Sequence, residues 1–457
     1  MTASTRPWEL TAAEASALID VGVLSPVELV ESCLARIDEV DPQVQAWALV
    51  DRTGAMEAAH RCQREIAQGP RKGPLHGIPI GVKDIFYTAG MPTEAGSRVM
   101  AGFVPDYDAT SVARLKEAGA VVLGKTHTTE FALFDPAPTR NPWNLEHTPG
   151  GSSSGSGAAV AAGMCPVALG SQTAGSVLRP AAYNGVVGLK GRHGRVSAYG
   201  VVPLAWSLDH VGVLARSVED AASVLQVMAG FDARDPYSLN EPVPDYAAAL
   251  QGELRPPRLG LVREHFFDKA DREMQRHTNE MVQRFREAGA TVQEVALPPS
   301  FSVISDTLGP IITTECAAFH QERYTKQKTL YGPRIGSTIE RGLGVTGTAY
   351  ATAVQQRQLQ RAEMAPLASG FDALVTPGAT TEAPAGLTTT GDPAMQTPWT
   401  VLGFPSISLP SGLSQNGLPL AVQLAAAPQH EARLLATARW CEGVLRFDRR
   451  PPLAKAT

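Results

Sequence analysis

Apolar residues along the chain fall into two alternating rhythms. Short apolar runs at 78–82, 120–123, 259–262, 291–297 and 373–376 predict buried strands. Between them, at about 109–118 and 270–288, apolar positions recur every three or four residues, the spacing of a helix with one face on a core. This alternation predicts βαβ units and an α/β fold around a mostly parallel sheet. Two helices precede them, each announced by a capping box: Thr11 with Glu14, then Ser25 with Glu28 and Pro26 at the first helical position. In the second, Leu29, Val30, Cys33, Leu34 and Ile37 form one apolar stripe, so the N-terminal region of about 1–70 reads as helical cladding.

Two irregular stretches interrupt the pattern. Residues 232–257, rich in Pro, Asp and Arg, predict a surface crossing within one domain in preference to a linker between two. Residues 378–400, rich in Thr, Gly and Pro, are long enough to form a lid or pocket loop.

Composition narrows the function classes. With 44% hydrophobic and 19% charged residues the 457-residue chain has the makings of a large core. A net charge of −5 gives no basic footprint for nucleic acid, and Arg449 and Arg450 make too short a basic tail to change that. The five cysteines are odd in number, dispersed and without metal-ligand spacing, so they are expected to be reduced and mostly buried. The N-terminus lacks a signal-peptide pattern and no apolar run is long enough to span a bilayer, which together suggest a cytoplasmic address. One stretch stands out: 147–178 contains no Asp, Glu, Lys or Arg, yet is crowded with Gly and Ser.

Two motifs mislead. Gly119 to Thr126 reads G-A-V-V-L-G-K-T, a literal match to the phosphate-binding pattern of P-loop nucleotide-binding proteins. In a P-loop the intervening residues curl around phosphate, whereas Ala120, Val121, Val122 and Leu123 are strand-forming core residues, and the helix precedes the motif instead of following it. Gly151 to Gly155 fits G-x-S-x-G around Ser153, but no apolar strand leads into it as a nucleophile elbow requires. His210 beside Asp209 is only a neighbouring pair and does not supply a Ser-His-Asp triad.

A third set fits its context: G-I-P-I-G-V-K-D at 77–84, P-G-G-S-S-S-G-S-G at 149–157, G-S-Q-T-A-G-S at 170–176 and R-P-A-A-Y-N-G-V-V-G-L-K at 179–190. In order and spacing these blocks resemble the amidase signature family. Weaker similarity runs through 108–126, 207–220, 403–412 and 418–423, so the resemblance covers most of the chain. It implies one domain over 1–457: a signature core at about 75–220, and a C-terminal half at about 258–445 completing the sheet and pocket. The implied architecture is a large mixed, mostly parallel twisted sheet sandwiched between helices.

Carried over from the family, Ser176 is the nucleophile, Ser152 the bridging serine and Lys83 the base. The resemblance also implies that Ser152 follows a cis peptide bond from Gly151. It further implies that backbone N–H groups of Thr173, Ala174, Gly175 and Ser176 make the oxyanion site. A serine hydroxyl needs a neighbour to take its proton, and lysine accepts one only when neutral, about three to four pH units below its reference pKa of about 10.4. Burial is the lever that does this, and the run at 147–178 would supply a low-dielectric setting, though Asp84 opposes it if it faces the same way. Phe131, Leu133 and Phe134 are candidates for an acyl pocket or for core packing.

The chain departs from the commonest family pattern in places: Gln172 stands where Asp is usual, Ala174 where Gly is usual, Leu178-Arg179 for Arg-x, Asn184 for a frequent Cys and Gly191-Arg192 for Pro-Thr. The expected activity is hydrolysis of an aryl or alkyl amide or a carbamate through an acyl-serine intermediate. Esterase activity in the same site and membership of a tRNA-dependent amidotransferase, as its A-type chain, are the alternatives. No metal or organic cofactor is expected, nor a nucleic-acid or membrane partner. The expected partner is a small-molecule substrate bound by a monomer or homo-oligomer.

Overall fold

The computed structural model describes residues 6–252 and 254–453. Both N-terminal capping boxes form, starting helices α1 (Ala12–Asp20) and α2 (Pro26–Val44). Asp220 accepts the Ala12 and Ala13 N–H groups at 3.1 and 2.9 Å, tying the start of α1 to the body of the protein.

Helices α3 (Arg52–Gln68), α4 (Thr110–Glu117), α5 (Ser154–Ala161) and α6 (Leu178–Asn184) alternate with the strands that follow. The strands are β1 (Trp47–Val50), β2 (Pro79–Lys83), β3 (Val121–Thr126), β4 (Val167–Gln172), β5 (Val187–Lys190), β6 (His210–Ala215), β7 (Arg258–Leu261), β8 (Thr291–Glu294), β9 (Ala373–Pro377), β10 (Ser406–Leu413) and β11 (Pro419–Ala425). They form one sheet in the order β1-β3-β2-β4-β6-β5-β10-β11-β9-β7-β8. Helices flank it, α5 packing on β2, β3, β4 and β6 and the helix Glu431–Leu445 on β9, β10 and β11. Each run expected as a strand is one, within a few residues at the ends.

The sheet is mixed, as expected, but parallel pairing does not predominate. Only β2–β3, β2–β4, β7–β8 and β7–β9 are parallel, while β1–β3, β4–β6, β5–β6, β5–β10, β10–β11 and β9–β11 are antiparallel. The reason is burial. In β4, β5 and β6 every residue is buried. With both faces covered, these strands lose the polar alternation by which an antiparallel strand is usually known.

One further feature was not anticipated. Between β8 and β9 the chain forms three long helices, Ile304–Gln327, Pro333–Leu343 and Gly347–Ser369, packed on one another. The crossing at 232–257 is mostly irregular, with one short helix, Tyr246–Gln251.

Candidate active site

The C-terminal ends of β2 and β4 and the loops after β3 and β4 converge on Lys83. This side chain ends β2 and has no exposed surface. Its Nζ donates to Ser152 Oγ at 2.7 Å and to Ser171 Oγ at 2.8 Å. Burial lowers its proton affinity well below that of an ordinary lysine, and the charge of Asp209 opposes the shift. Asp84 is not the opposing group. Its carboxylate lies 3.4 Å from Lys125 Nζ and accepts the Glu94 N–H at 3.1 Å.

Ser152 follows a cis peptide bond from Gly151. Gly150 before it has φ +79°, a conformation that favours glycine, and a Cβ on Gly151 would come within 2.7 Å of Thr390 Cγ2. The Gly/Ser run is no flexible tether. Ser154 Oγ donates to Gly150 O at 2.7 Å, Ser156 Oγ to Leu169 O at 2.8 Å, and Ser153 N to Ser176 O at 3.2 Å. The last bond ties the Ser152 loop to the Ser176 loop. Ser153, centre of the false elbow, is the N-cap residue of α5.

Ser176 lies between β4 and α6 and is 7% exposed. Among the described residues its hydroxyl has no protein hydrogen-bond partner, and the N–H groups of Thr173, Ala174, Gly175 and Ser176 donate to no protein acceptor. The next two N–H groups, of Val177 and Leu178, both reach Gln172 Oε1 at 3.0 Å. Gln172 Nε2 donates to Thr400 Oγ1 at 3.0 Å, and that hydroxyl donates to Ala174 O at 2.8 Å. The neutral Gln172 thus organises the turn where the family usually has Asp. Asn184 Nδ2 donates to Pro149 O and Pro180 O, both at 2.7 Å, joining the end of α6 to the Gly/Ser loop.

Residues that carry no role in the sequence pattern complete the site. Ser171 lies inside the 170–176 block yet only the fold brings it to Lys83. Arg179 Nη2 donates to Gly151 O at 2.7 Å and to Thr390 Oγ1 at 3.1 Å. Thr390 and Thr400 belong to 378–400, so this irregular segment packs directly on both serine loops. Asp209 accepts from the Thr173 hydroxyl and from Leu204 N and Ala205 N at 3.0 and 3.1 Å, and burial pushes its carboxyl up to about 7. Asp209 falls in the 207–220 stretch, but only the fold sets it against Thr173 and within reach of Lys83.

Other candidates fall outside this constellation. Phe131 is buried against His320 and Tyr331, with ring centroids 4.4 and 5.7 Å away, inside an aromatic cluster. Leu133 is buried and accepts the Thr129 hydroxyl through its carbonyl, while Phe134 is exposed. In the segment 119–126 strand β3 takes up 121–126, where a P-loop would curl, and Lys125 Nζ donates to Phe86 O at 2.7 Å and Thr93 Oγ1 at 2.6 Å, leaving no cradle for phosphate. Cys62, Glu65 and His76 bring ligand-type atoms within 4.8 Å of one another. His76 there already faces Glu65 Oε2 at 2.9 Å and accepts Lys72 N–H at 3.2 Å, and it precedes the opposite end of β2 from Lys83. All five cysteines are free and buried, and no described helix is long and apolar enough to cross a membrane.

Comparison with known proteins places this geometry among relatives. The Amidase family model matches residues 28–435. The A-type chain of the glutamyl-tRNA(Gln) amidotransferase of Chloroflexus aggregans is 37% identical, covering 98% of this chain and 99% of the relative. The solved peptide amidase from Stenotrophomonas maltophilia is 33% identical with a TM-score of 0.83, covering 97% of this chain and 98% of its own. A 6-aminohexanoate cyclic dimer hydrolase complexed with substrate is 28% identical with a TM-score of 0.88, covering 98% and 99%.

Proposed function

The chain belongs to the amidase family of carbon–nitrogen hydrolases, and from that premise we propose that it cleaves an amide-like bond by acyl transfer to Ser176 and then to water. The observation that carries this reading is the 2.7 Å contact between a fully buried Lys83 and Ser152 Oγ. In the neutral amine that contact runs the other way: the Ser152 hydroxyl donates to the nitrogen lone pair and its oxygen accepts the proton of Ser176. Ser176 Oγ then bonds to the acyl carbon, the C–N bond breaks, and the proton returns through Ser152 to the leaving nitrogen. Water reverses the same path and frees the acid. The unengaged N–H groups at 173–176 meet the developing oxyanion, each such donor contributing about 3 kcal/mol in the transition state. No step needs a metal.

An aryl or alkyl amide, a carbamate and an ester all present an acyl carbon to this serine, and the first two are the substrates proposed. A second reading is favoured by the relatives named as A-type chains of glutamyl-tRNA(Gln) amidotransferase, the Chloroflexus aggregans protein among them, whose 37% identity extends over nearly the whole chain. In that reading the same Ser176 chemistry serves amide transfer to glutamyl-tRNA(Gln) within a larger assembly.

The purified chain, offered primary amides including glutamine, anilides, carbamates and esters, separates the two. Release of ammonia or amine by the chain alone, lost in Ser176→Ala, supports the free hydrolase. Glutamine turnover that appears only with partner proteins supports the second reading. Amide cleavage that survives in Ser176→Ala contradicts both.

A further inference from the structure

A cavity of about 440 Å³ lies beside Asp209, and three of its walls are the rings of Tyr199, Trp206 and Tyr237. Trp206 and Tyr237 are 37% and 39% exposed, unusual for residues whose planar faces gain most from contact. The charges at its rim are already engaged. The Arg234 guanidinium stacks 4.5 Å over the Tyr199 ring and bonds Asp232 at 2.9 Å, while the Asp235 carboxylate takes the N–H groups of Ala198 and Tyr237 at 2.8 and 2.9 Å. A cavity of this size with planar apolar walls and no free charge suits a neutral aromatic group.

Its position ties it to catalysis. Asp209, Ala198 and Val201 also line a smaller cavity of about 10 Å³, and Ser171 and Thr173 stand on its other walls. Ser171 accepts from Lys83, and the Thr173 hydroxyl donates to Asp209 at the start of the Ser176 loop. The aromatic chamber therefore shares Ala198, Val201 and Asp209 with the small cavity that Ser171, the partner of Lys83, also lines.

We propose that the cavity between Tyr199, Trp206 and Tyr237 binds an aryl group of the substrate, which makes the protein an aryl amidase or aryl carbamate hydrolase. This rests on the reading of Ser176 as nucleophile. The ring sits on either the acyl or the amine side of the scissile bond, and benzamide and acetanilide distinguish the two.

The test is selectivity in Trp206→Ala and, as a second variant should the first fail to fold, Tyr237→Leu. The ratio of kcat/KM for acetanilide or benzamide to that for acetamide should fall about tenfold, the order of one lost aromatic contact. An unchanged ratio for both aryl substrates overturns the proposal. The binding arm stands apart from turnover: equilibrium dialysis of aniline and benzoate amide analogues against Ser176→Ala, with and without Trp206→Ala. A Kd raised about tenfold by the second substitution supports the cavity even if no amide is cleaved, and an unchanged Kd overturns it. Aromatic binding that depends on Trp206 but does not compete with acetanilide would mark an effector site and also overturn it.

Discussion

Lys83 and Lys125 are both buried lysines within strands, β2 and β3, yet their surroundings give them opposite jobs. Around Lys83 are hydroxyls, Ser152 and Ser171, which accept equally well from a neutral amine. Burial then wins, and the amine sheds its proton well below the ordinary lysine range. In the folded protein Lys83 holds fewer protons than in the unfolded chain between its depressed value and about 10.4, so stability rises with pH across that window. Activity should follow the same group. The rate rises with pH as Lys83 deprotonates and levels off well below pH 10, and Lys83→Ala lowers kcat by about 10² to 10⁴-fold. A basic limb centred near an unperturbed lysine in the pH–rate profile would remove Lys83 as the base.

Lys125 instead faces the Asp84 carboxylate and two oxygen acceptors, a fixed and satisfied arrangement. Lys125→Met leaves Asp84 buried without its partner. It should cost about 3 kcal/mol in urea unfolding, and ATP should not bind to either form in equilibrium dialysis. At this scale the sequence was most informative. Lys83 and Ser152 sit in short blocks whose residues meet locally, and the structure joins them. Ser171 and Asp209 gain their meaning only from what β2, β4 and the loop after β5 bring together.

The Ser176 loop depends on elements far from it in the chain. Helix Thr397–Val401 presents Thr400, which accepts from Gln172 and donates to the Ala174 carbonyl. Because a peptide unit is planar and trans, fixing that carbonyl on Thr400 turns the Gly175 N–H to the opposite side. Thr400→Val removes both bonds and leaves a buried amide donor unpaired, a loss of about 1–3 kcal/mol. It should lower kcat more than it raises KM, with Thr400→Ser restoring most of the rate. Equal effects on both constants would deny Thr400 its role in orienting the loop.

This linkage was invisible in the sequence because Gln172 and Thr400 are 228 residues apart. The helices between β8 and β9 escaped notice in a related way: they pack mainly on one another, and the middle one, Pro333–Leu343, is capped without a side-chain signal. Phe131, a candidate for pocket or core by its place after β3, packs in the aromatic cluster with His320 of the first of these helices and Tyr331.

Across the whole molecule one sheet carries both halves of the chain. β5 and β10 pair through Lys190–Ser406, Leu189–Ile407 and Gly188–Ser408, so the region holding Lys83 and Ser176 is continuous with the region holding Thr400. Strands shared in this way should unfold together. A single transition, coincident by far-ultraviolet dichroism and tryptophan fluorescence, is expected in urea. Two separated transitions would divide the chain at the crossing of 232–257 and contradict the one-domain reading. The alternation of strands and helices made the fold class legible, whereas the direction of the central strands was hidden by their burial on both faces.

The proposed mechanism requires that Ser176, and no other serine, forms the covalent intermediate. Peptide mapping by mass spectrometry after reaction with a serine-directed fluorophosphonate tests it most directly. One adduct is expected on Ser176, absent in Ser176→Ala and formed far more slowly in Lys83→Ala. An adduct on Ser152 or Ser153, or labelling that persists in Ser176→Ala, would contradict it.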